Sequence, residues 1–228
     1  MTVWPPNFKD ELHAAVRECL RLSFDCSKGS HGPIGSWDVS AVAEMSELFN
    51  NDVVPGANKF TGDLSNWDVS RATSMWSMFV RASAFNGDIS KWEVSRVTNM
   101  NHMFASASSF NSDLSRWDVS RVTNMNHMFA SASSFNGDIS KWDVSSVTNM
   151  EEMFSGAASF SQTLCGEWYT SKADKDRMFK GSSGAICKTA SKNATSMKTY
   201  THAYKCPVTP TALSPVTVTL TLPLTLTL

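Results

Sequence analysis

Side chains capable of chemistry recur in this sequence at fixed steps. Aspartates stand at Asp63, Asp88, Asp113 and Asp138, 25 residues apart, inside turn-like runs such as Phe85 to Asp88 (FNGD). Oxygen ligands on adjacent units could share a hard cation such as calcium. Alternatively, each aspartate bonds its own turn backbone, as short polar side chains do. His102 and His127 lie one step apart in identical MNHMF runs and are the donor type a transition metal takes. The repeat is read as placing Trp76 and Glu151 at the equivalent positions, so no third histidine or cysteine completes a set. Thr73, Thr98, Thr123 and Thr148 supply one hydroxyl per step, which raises an ice-binding array as an alternative. One threonine column among charges is thin for that purpose.

Three further columns carry charge: Lys91, Arg116 and Lys141; then Asp68, Glu93, Asp118 and Asp143; then Arg71, Arg96 and Arg121. If neighbouring units stack at the spacing of adjacent strands, roughly 5 Å, like charges face one another and the carboxylates repel unless compensated. The flanking basic columns are the natural compensator, giving a solvated ladder of weak ion pairs. The functional reading of the same ten residues is a binding face that selects partners by charge register. Catalysis finds no support. No G-x-S-x-G, phosphate loop, H-E-x-x-H or dinucleotide fingerprint occurs, no cofactor is implied, and carboxylate pairs exist only as repeated columns.

The elements that position these columns follow from the repeat. Trp-Asp/Glu-Val-Ser begins at Trp67, Trp92, Trp117 and Trp142, with an earlier copy at Trp37 offset by 30 residues. Phe60, Phe85, Phe110, Phe135 and Phe160 keep the same step, as do Met75, Met100, Met125 and Met150. Residues 97–111 and 122–136 are identical, so neighbouring units sit in nearly the same surroundings. The longer first interval, around residues 51–58 with Pro55 and Gly56, reads as a loop. Within a unit, Ile89, Trp92 and Val94 have the spacing of a short leucine-rich-repeat strand, with Trp92 and Val94 pointing inward. Met100, Met103, Phe104 and Ala107 then suit one or two helical turns on the other side. One unit cannot bury its apolar residues alone, so stacking makes the core and the ends need caps.

The organisation expected is an N-terminal helical cap over residues 1–36, a five-unit repeat solenoid over 37–164, a degenerate closing unit over 165–190 and a Ser/Thr-rich disordered tail over 191–228. Phe8 to Leu22 carries a helical apolar stripe with Asp10 and Glu11 near its start, as a capping helix would. The cysteines Cys19, Cys26, Cys165, Cys187 and Cys206 all flank the repeats. In an oxidising compartment Cys19 with Cys26 and Cys165 with Cys187 could staple the caps, leaving Cys206 unpaired; in a reducing one they are buried thiols. The chain has 228 residues with 20 Lys plus Arg against 21 Asp plus Glu, no basic excess to draw nucleic acid or an anionic membrane. No run approaches the roughly 18 to 20 apolar residues that span a bilayer. Residues 1–9, with Pro5 and Pro6, do not read as a secretion signal, and the sequon at Asn193 is only a weak hint of a secretory route.

The consensus F-N-G-D-I-S-K-W-D-V-S-x-V-T-N-M-x-x-M-F closely resembles the BspA-like leucine-rich-repeat surface proteins and their mycoplasma-lipoprotein-type repeat, over roughly residues 34–164. Residues 12–20 with His31 to Ile34 resemble the cap that precedes such repeats, and Trp168 with Met178 and Phe179 resembles a closing unit. The resemblance implies a leucine-rich-repeat-like solenoid with short parallel strands on one side and short helical turns on the other. It also implies an interaction or adhesion scaffold for a protein or other macromolecule at a cell surface, with no catalytic residues.

Overall fold

The computed structural model describes residues 9–188. It opens with helix α1 (Lys9–Leu22), whose stripe of Leu12, Ala15, Val16, Cys19 and Leu20 is buried. Asp10 and Glu11 lie in its first turn and Arg21 in its last, the charge order that complements the helix dipole. A disulfide joins Cys19 to Cys26, their Cα atoms 4.8 Å apart, and ties the end of α1 to the segment entering the first unit. At the other end β1 (Thr163–Leu164) pairs in parallel with β2 (Ala185–Ile186), helix α2 (Glu167–Thr170) lies between them, and a second disulfide joins Cys165 to Cys187. The tail expected from residue 191, with Asn193 and Cys206, lies outside the described residues.

Between these ends the chain has a repeat architecture with little regular secondary structure. Parallel bridges link Glu44, Ser74, Asn99, Asn124, Asn149 and Asp174 from unit to unit. From this column the backbone splits its hydrogen bonds in two. The amides of Met100, His102, Phe104 and Ser106 donate to the carbonyls of Asn124, Asn126, Met128 and Ala130 in the next unit. The amides of Met103, Ala105 and Ala107 instead close turns onto Met100, His102 and Phe104. Along this stretch every second amide therefore leaves the unit toward the C-terminal neighbour, while Thr98 and Ser109 on either side of it donate back to Thr73 and Ser83 of the preceding unit.

This pattern displaces both elements expected within a unit. The helical turns over 100–107 are absent because alternate amides leave for the next unit and because His102 and Ser106 have φ of 56° and 59°, outside the right-handed helical region. The same left-handed position recurs at Glu47, Ser77, His127, Glu152 and Arg177. The strand expected at Trp92 to Val94 does not form either, although Trp92 and Val94 do point inward and Glu93 outward. There the amides are satisfied locally: Trp92 onto Ile89, Val97 onto Val94, and Ser90 onto the Asp88 carboxylate. Side chain to backbone bonds compete with a ladder in this way. The parallel pairing lies instead on the Asn99 column, seven residues past Trp92.

The core consists of columns of like side chains. Phe79, Phe104, Phe129 and Phe154 stack at 5.5 to 5.6 Å, and Phe85, Phe110, Phe135 and Phe160 at 6.0 Å. Trp92, Trp117 and Trp142 stack at 6.5 Å, and each indole Nε1 donates to a carbonyl of the preceding unit: Leu64, Ile89 and Leu114. Trp168 continues the column 6.4 Å beyond Trp142, but its buried Nε1 has no partner. The loop around Pro55 and Gly56, where Gly56 takes φ of 94°, absorbs the five additional residues of the first interval and leaves the bridge column unbroken.

These separations also show how the units are related. A pure translation would displace every atom of a repeated unit equally. The displacement instead grows from 4.6 Å at the His102 and His127 rings to 6.5 Å at the tryptophans. Successive units are therefore rotated relative to one another, with the histidine side nearer the axis and the Trp-Asp-Val-Ser side farther from it.

Candidate interaction surface

The outer side carries all ten charged residues singled out in the sequence. Asp68, Arg71, Lys91, Glu93, Arg96, Arg116, Asp118, Arg121, Lys141 and Asp143 are exposed. The steric reason is the alternation around Trp92 and Val94, which sends their neighbours outward. The carboxylates of Asp68, Asp118 and Asp143 accept the amides of Ser70, Ser120 and Ser145 at 2.9, 3.0 and 3.0 Å. These bonds hold the Asp143 carboxyl below its ordinary range, with a further bond shared with Glu167. Glu167 moves the opposite way, raised by that bond and by the negative charge of Asp143.

The expected ladder of ion pairs is not formed. Among the described residues the ion pairs are Lys9 with Glu47, Arg81 with Asp52, His127 with Glu152, and Arg177 with Glu151, Glu152 and Asp176, none involving the ten. Two physical reasons account for this. Turn amides already neutralise part of the aspartate charge, and the units stand about 6.5 Å apart at the adjoining tryptophans instead of roughly 5 Å, which weakens like-charge repulsion.

Asp63, Asp88, Asp113 and Asp138 each give one carboxylate oxygen to the amide of Ser65, Ser90, Ser115 or Ser140, at 2.9 to 3.0 Å. Bonds to these serines are the main reason all four are held below the ordinary aspartate range. Lys91, Arg116 and Lys141 lower Asp88, Asp113 and Asp138 further, so this basic column acts on the turn acids. The Thr98, Thr123 and Thr148 hydroxyls donate to the carbonyls of Thr73, Thr98 and Thr123.

The inner side differs from unit to unit. The His102 and His127 rings are parallel within 4°, and the nitrogen lone pairs of parallel rings do not converge on one ion. Their column continues to Ser77 and Glu152, which corrects the assignment of Trp76 and Glu151: those two belong with Asn101 and Asn126, one residue earlier. Each imidazole Nδ1 lies against the Oδ1 of the preceding asparagine. Burial, then the neighbouring His127, pushes His102 below the ordinary 6.5. Asn126 donates to Glu151 at 3.1 Å, His127 Nε2 lies 3.5 Å from Glu152, and Arg177 bridges Glu151 and Glu152 at 3.2 and 3.0 Å. Among the described residues no three His, Cys, Asp or Glu side chains are grouped to hold a metal ion. Trp76 is exposed on this side, a feature hidden in the sequence because its triplet, Met75-Trp76-Ser77, reads as a minor variant of the repeat.

Among the described residues no helix is long and apolar enough to cross a membrane. The two disulfides are of a kind that persists in oxidising compartments. Comparison with known proteins gives no matching curated protein and no matching solved structure. A family model does match, in two overlapping copies over residues 18–121 and 86–196, the overlap being what a repeating chain produces. On that match, which takes in most of the chain and both of its disulfides, the protein belongs to the family described as Mycoplasma protein of unknown function, DUF285.

Proposed function

We propose that the chain is a non-enzymatic interaction or adhesion scaffold, a leucine-rich-repeat-like solenoid of the BspA-like kind that works at a cell surface. The observation that carries this reading is the outer face. Ten charged side chains stand exposed, in register from unit to unit, and none is engaged in an ion pair among the described residues. Charges held in register without a close ion-pair partner among the described residues favour selection of a partner with complementary spacing, and they speed its encounter. The caps support an extracytoplasmic location through their disulfides.

A calcium-dependent binder and an ice-binding array draw less support. Each turn aspartate already spends an oxygen on its own serine, and three threonine hydroxyls spend their hydrogens on carbonyls. The experiment is a capture assay on extracellular and cell-surface fractions with the parent chain beside an Arg71→Glu, Arg96→Glu, Arg121→Glu variant. A partner retained by the parent and lost by the folded variant supports the charged face. Equal retention by both would remove that face from the binding mechanism, and capture by neither would favour a spacer.

A further inference from the structure

Trp76 is the surface residue that the packing of the repeat explains least. Trp37, Trp67, Trp92, Trp117, Trp142 and Trp168 are at most 4% exposed, whereas Trp76 is 39% exposed. Its column reads Ser46, Trp76, Asn101, Asn126, Glu151 and Asp176, so nothing in the stacking demands an indole there. A large flat apolar side chain held in water is the type that anchors a ligand. In the following unit, Asn101 and His102 commit Oδ1 and Nδ1 to local contacts, while the Asn101 amide nitrogen and His102 Nε2 have no protein partner among the described residues. An apolar platform therefore adjoins polar atoms with spare hydrogen-bonding capacity.

We propose that Trp76, Asn101 and His102, continued by Asn126, form a binding strip for an uncharged oligosaccharide. A sugar ring presents a face of C–H groups that packs on an indole and a rim of hydroxyls that both donate and accept. Amide and imidazole side chains match that rim. Trp76 and Asn126 stand two unit steps apart, about 9 Å at the 4.6 Å inner spacing, which accommodates more than one ring.

Other ligand classes fit less well. An extended peptide adds to a free backbone edge or places side chains in successive pockets. Here the amides of Met100, His102, Phe104 and Ser106 already bond the next unit, and Trp76 is the one large exposed apolar residue in the units. At both ends of the strip the cations are already paired, Lys9 with Glu47 and Arg177 with Glu151 and Glu152, so a polyanion would have to compete with those carboxylates.

The test is isothermal titration of the full chain with neutral hexasaccharides of β-1,4-linked N-acetylglucosamine, β-1,4-linked glucose and α-1,6-linked mannose, beside a sulfated heparin hexasaccharide. At least one neutral probe should bind saturably, with affinity insensitive to salt because no charge is neutralised. Trp76→Ala should weaken that binding roughly tenfold or more, the loss typical of a truncated anchor. Its thermal melt should match the parent's, since the indole is largely outside the core. Asn101→Ala should weaken binding by a smaller factor. Binding by none of the neutral probes, equal binding by the Trp76→Ala chain, or binding of the sulfated probe alone would each overturn the proposal.

Discussion

Replacing Trp117 by alanine tests the column architecture most directly. Its ring is 4% exposed, lies 6.5 Å from Trp92 on one side and from Trp142 on the other, and sits 6.3 Å from Phe104. Removing a buried aromatic ring costs about 3 to 5 kcal/mol, and its Nε1 bond to Ile89 adds about 1 kcal/mol. The Ile89 carbonyl keeps its bond from the Trp92 amide, so no orphaned acceptor adds to the loss. The expected total is about 4 to 6 kcal/mol for Trp117→Ala and about 1 to 2 for Trp117→Phe, which retains a stacked ring. For a chain of this size that corresponds to melting shifts of roughly 8 to 24 °C and 2 to 8 °C. Urea unfolding followed by circular dichroism, with thermal melts alongside, measures both. An alanine variant within about 1 kcal/mol of the parent, or equal losses for the two substitutions, would refute the reasoning.

Trp142→Phe should cost about 1 kcal/mol more than Trp168→Phe, because Trp142 Nε1 donates to Leu114 and Trp168 Nε1 has no partner to lose; equal melts would contradict this. Acid should destabilise the fold through His102, whose pKa lies below 6.5 in the folded protein. The unfolded chain then binds that proton more readily, so the contribution is intact above 6.5 and lost as pH falls through and below it. Urea midpoints between about pH 7.5 and 5 should fall less steeply in His102→Gln than in the parent, and identical slopes would count against the effect. Replacing Cys19 and Cys26 together by serine should lower stability by about 2 to 4 kcal/mol, read as a lower urea midpoint. Arg71→Glu, Arg96→Glu and Arg121→Glu should each shift stability by no more than about 0.5 kcal/mol, since these exposed side chains break no ion pair; a large loss would mean they stabilise the stack.

Much of the core was legible in the sequence because side-chain direction survives a change of backbone. Trp92, Val94, Met100, Met103, Phe104 and Phe110 were all readable as inward from their spacing, and all are buried. The cysteine pairs in the caps were among the alternatives the spacing left open. Backbone conformation was less legible. Spacings of 3, 1 and 3 residues from Met100 to Ala107 suit a helix, but they also suit turns in which every second amide leaves the unit, and the left-handed φ at His102 has no glycine to announce it. The inner face was harder to read for another reason: a shift of one residue in register exchanged Trp76 with Ser77 and Glu151 with Glu152. The 25-residue step counted from Met75, Met100, Met125 and Met150 already placed Ser77 and Glu152 with the histidines, and the amide bonds of Ser77 onto Asn101 and His127 onto Glu151 agree with it.

The same bonds explain where this chain can vary and where it cannot. Each aromatic core column has to meet its own kind one unit on, because rings 5.5 to 6.5 Å apart leave little room for a change of length or shape in one unit without a matching change in the next, whereas the aliphatic column alternates between Leu64, Ile89, Leu114 and Ile139. Outer positions are spared that constraint but share local turn bonds in which an acid accepts the amide of a serine two residues on; Asp68 and Asp118 make this bond, and Glu93 makes none among the described residues. The inner column before the histidines has neither requirement, since its carbonyls accept from the preceding unit, its amides bond the side chain two residues earlier, and its side chains from Trp76 onward are at least partly exposed. It is there that serine, tryptophan, asparagine, glutamate and aspartate succeed one another from Ser46 to Asp176. In an array otherwise held uniform by stacking, the position free of packing rules is where one unit can differ from another in what it binds, and Trp76 is the largest such departure.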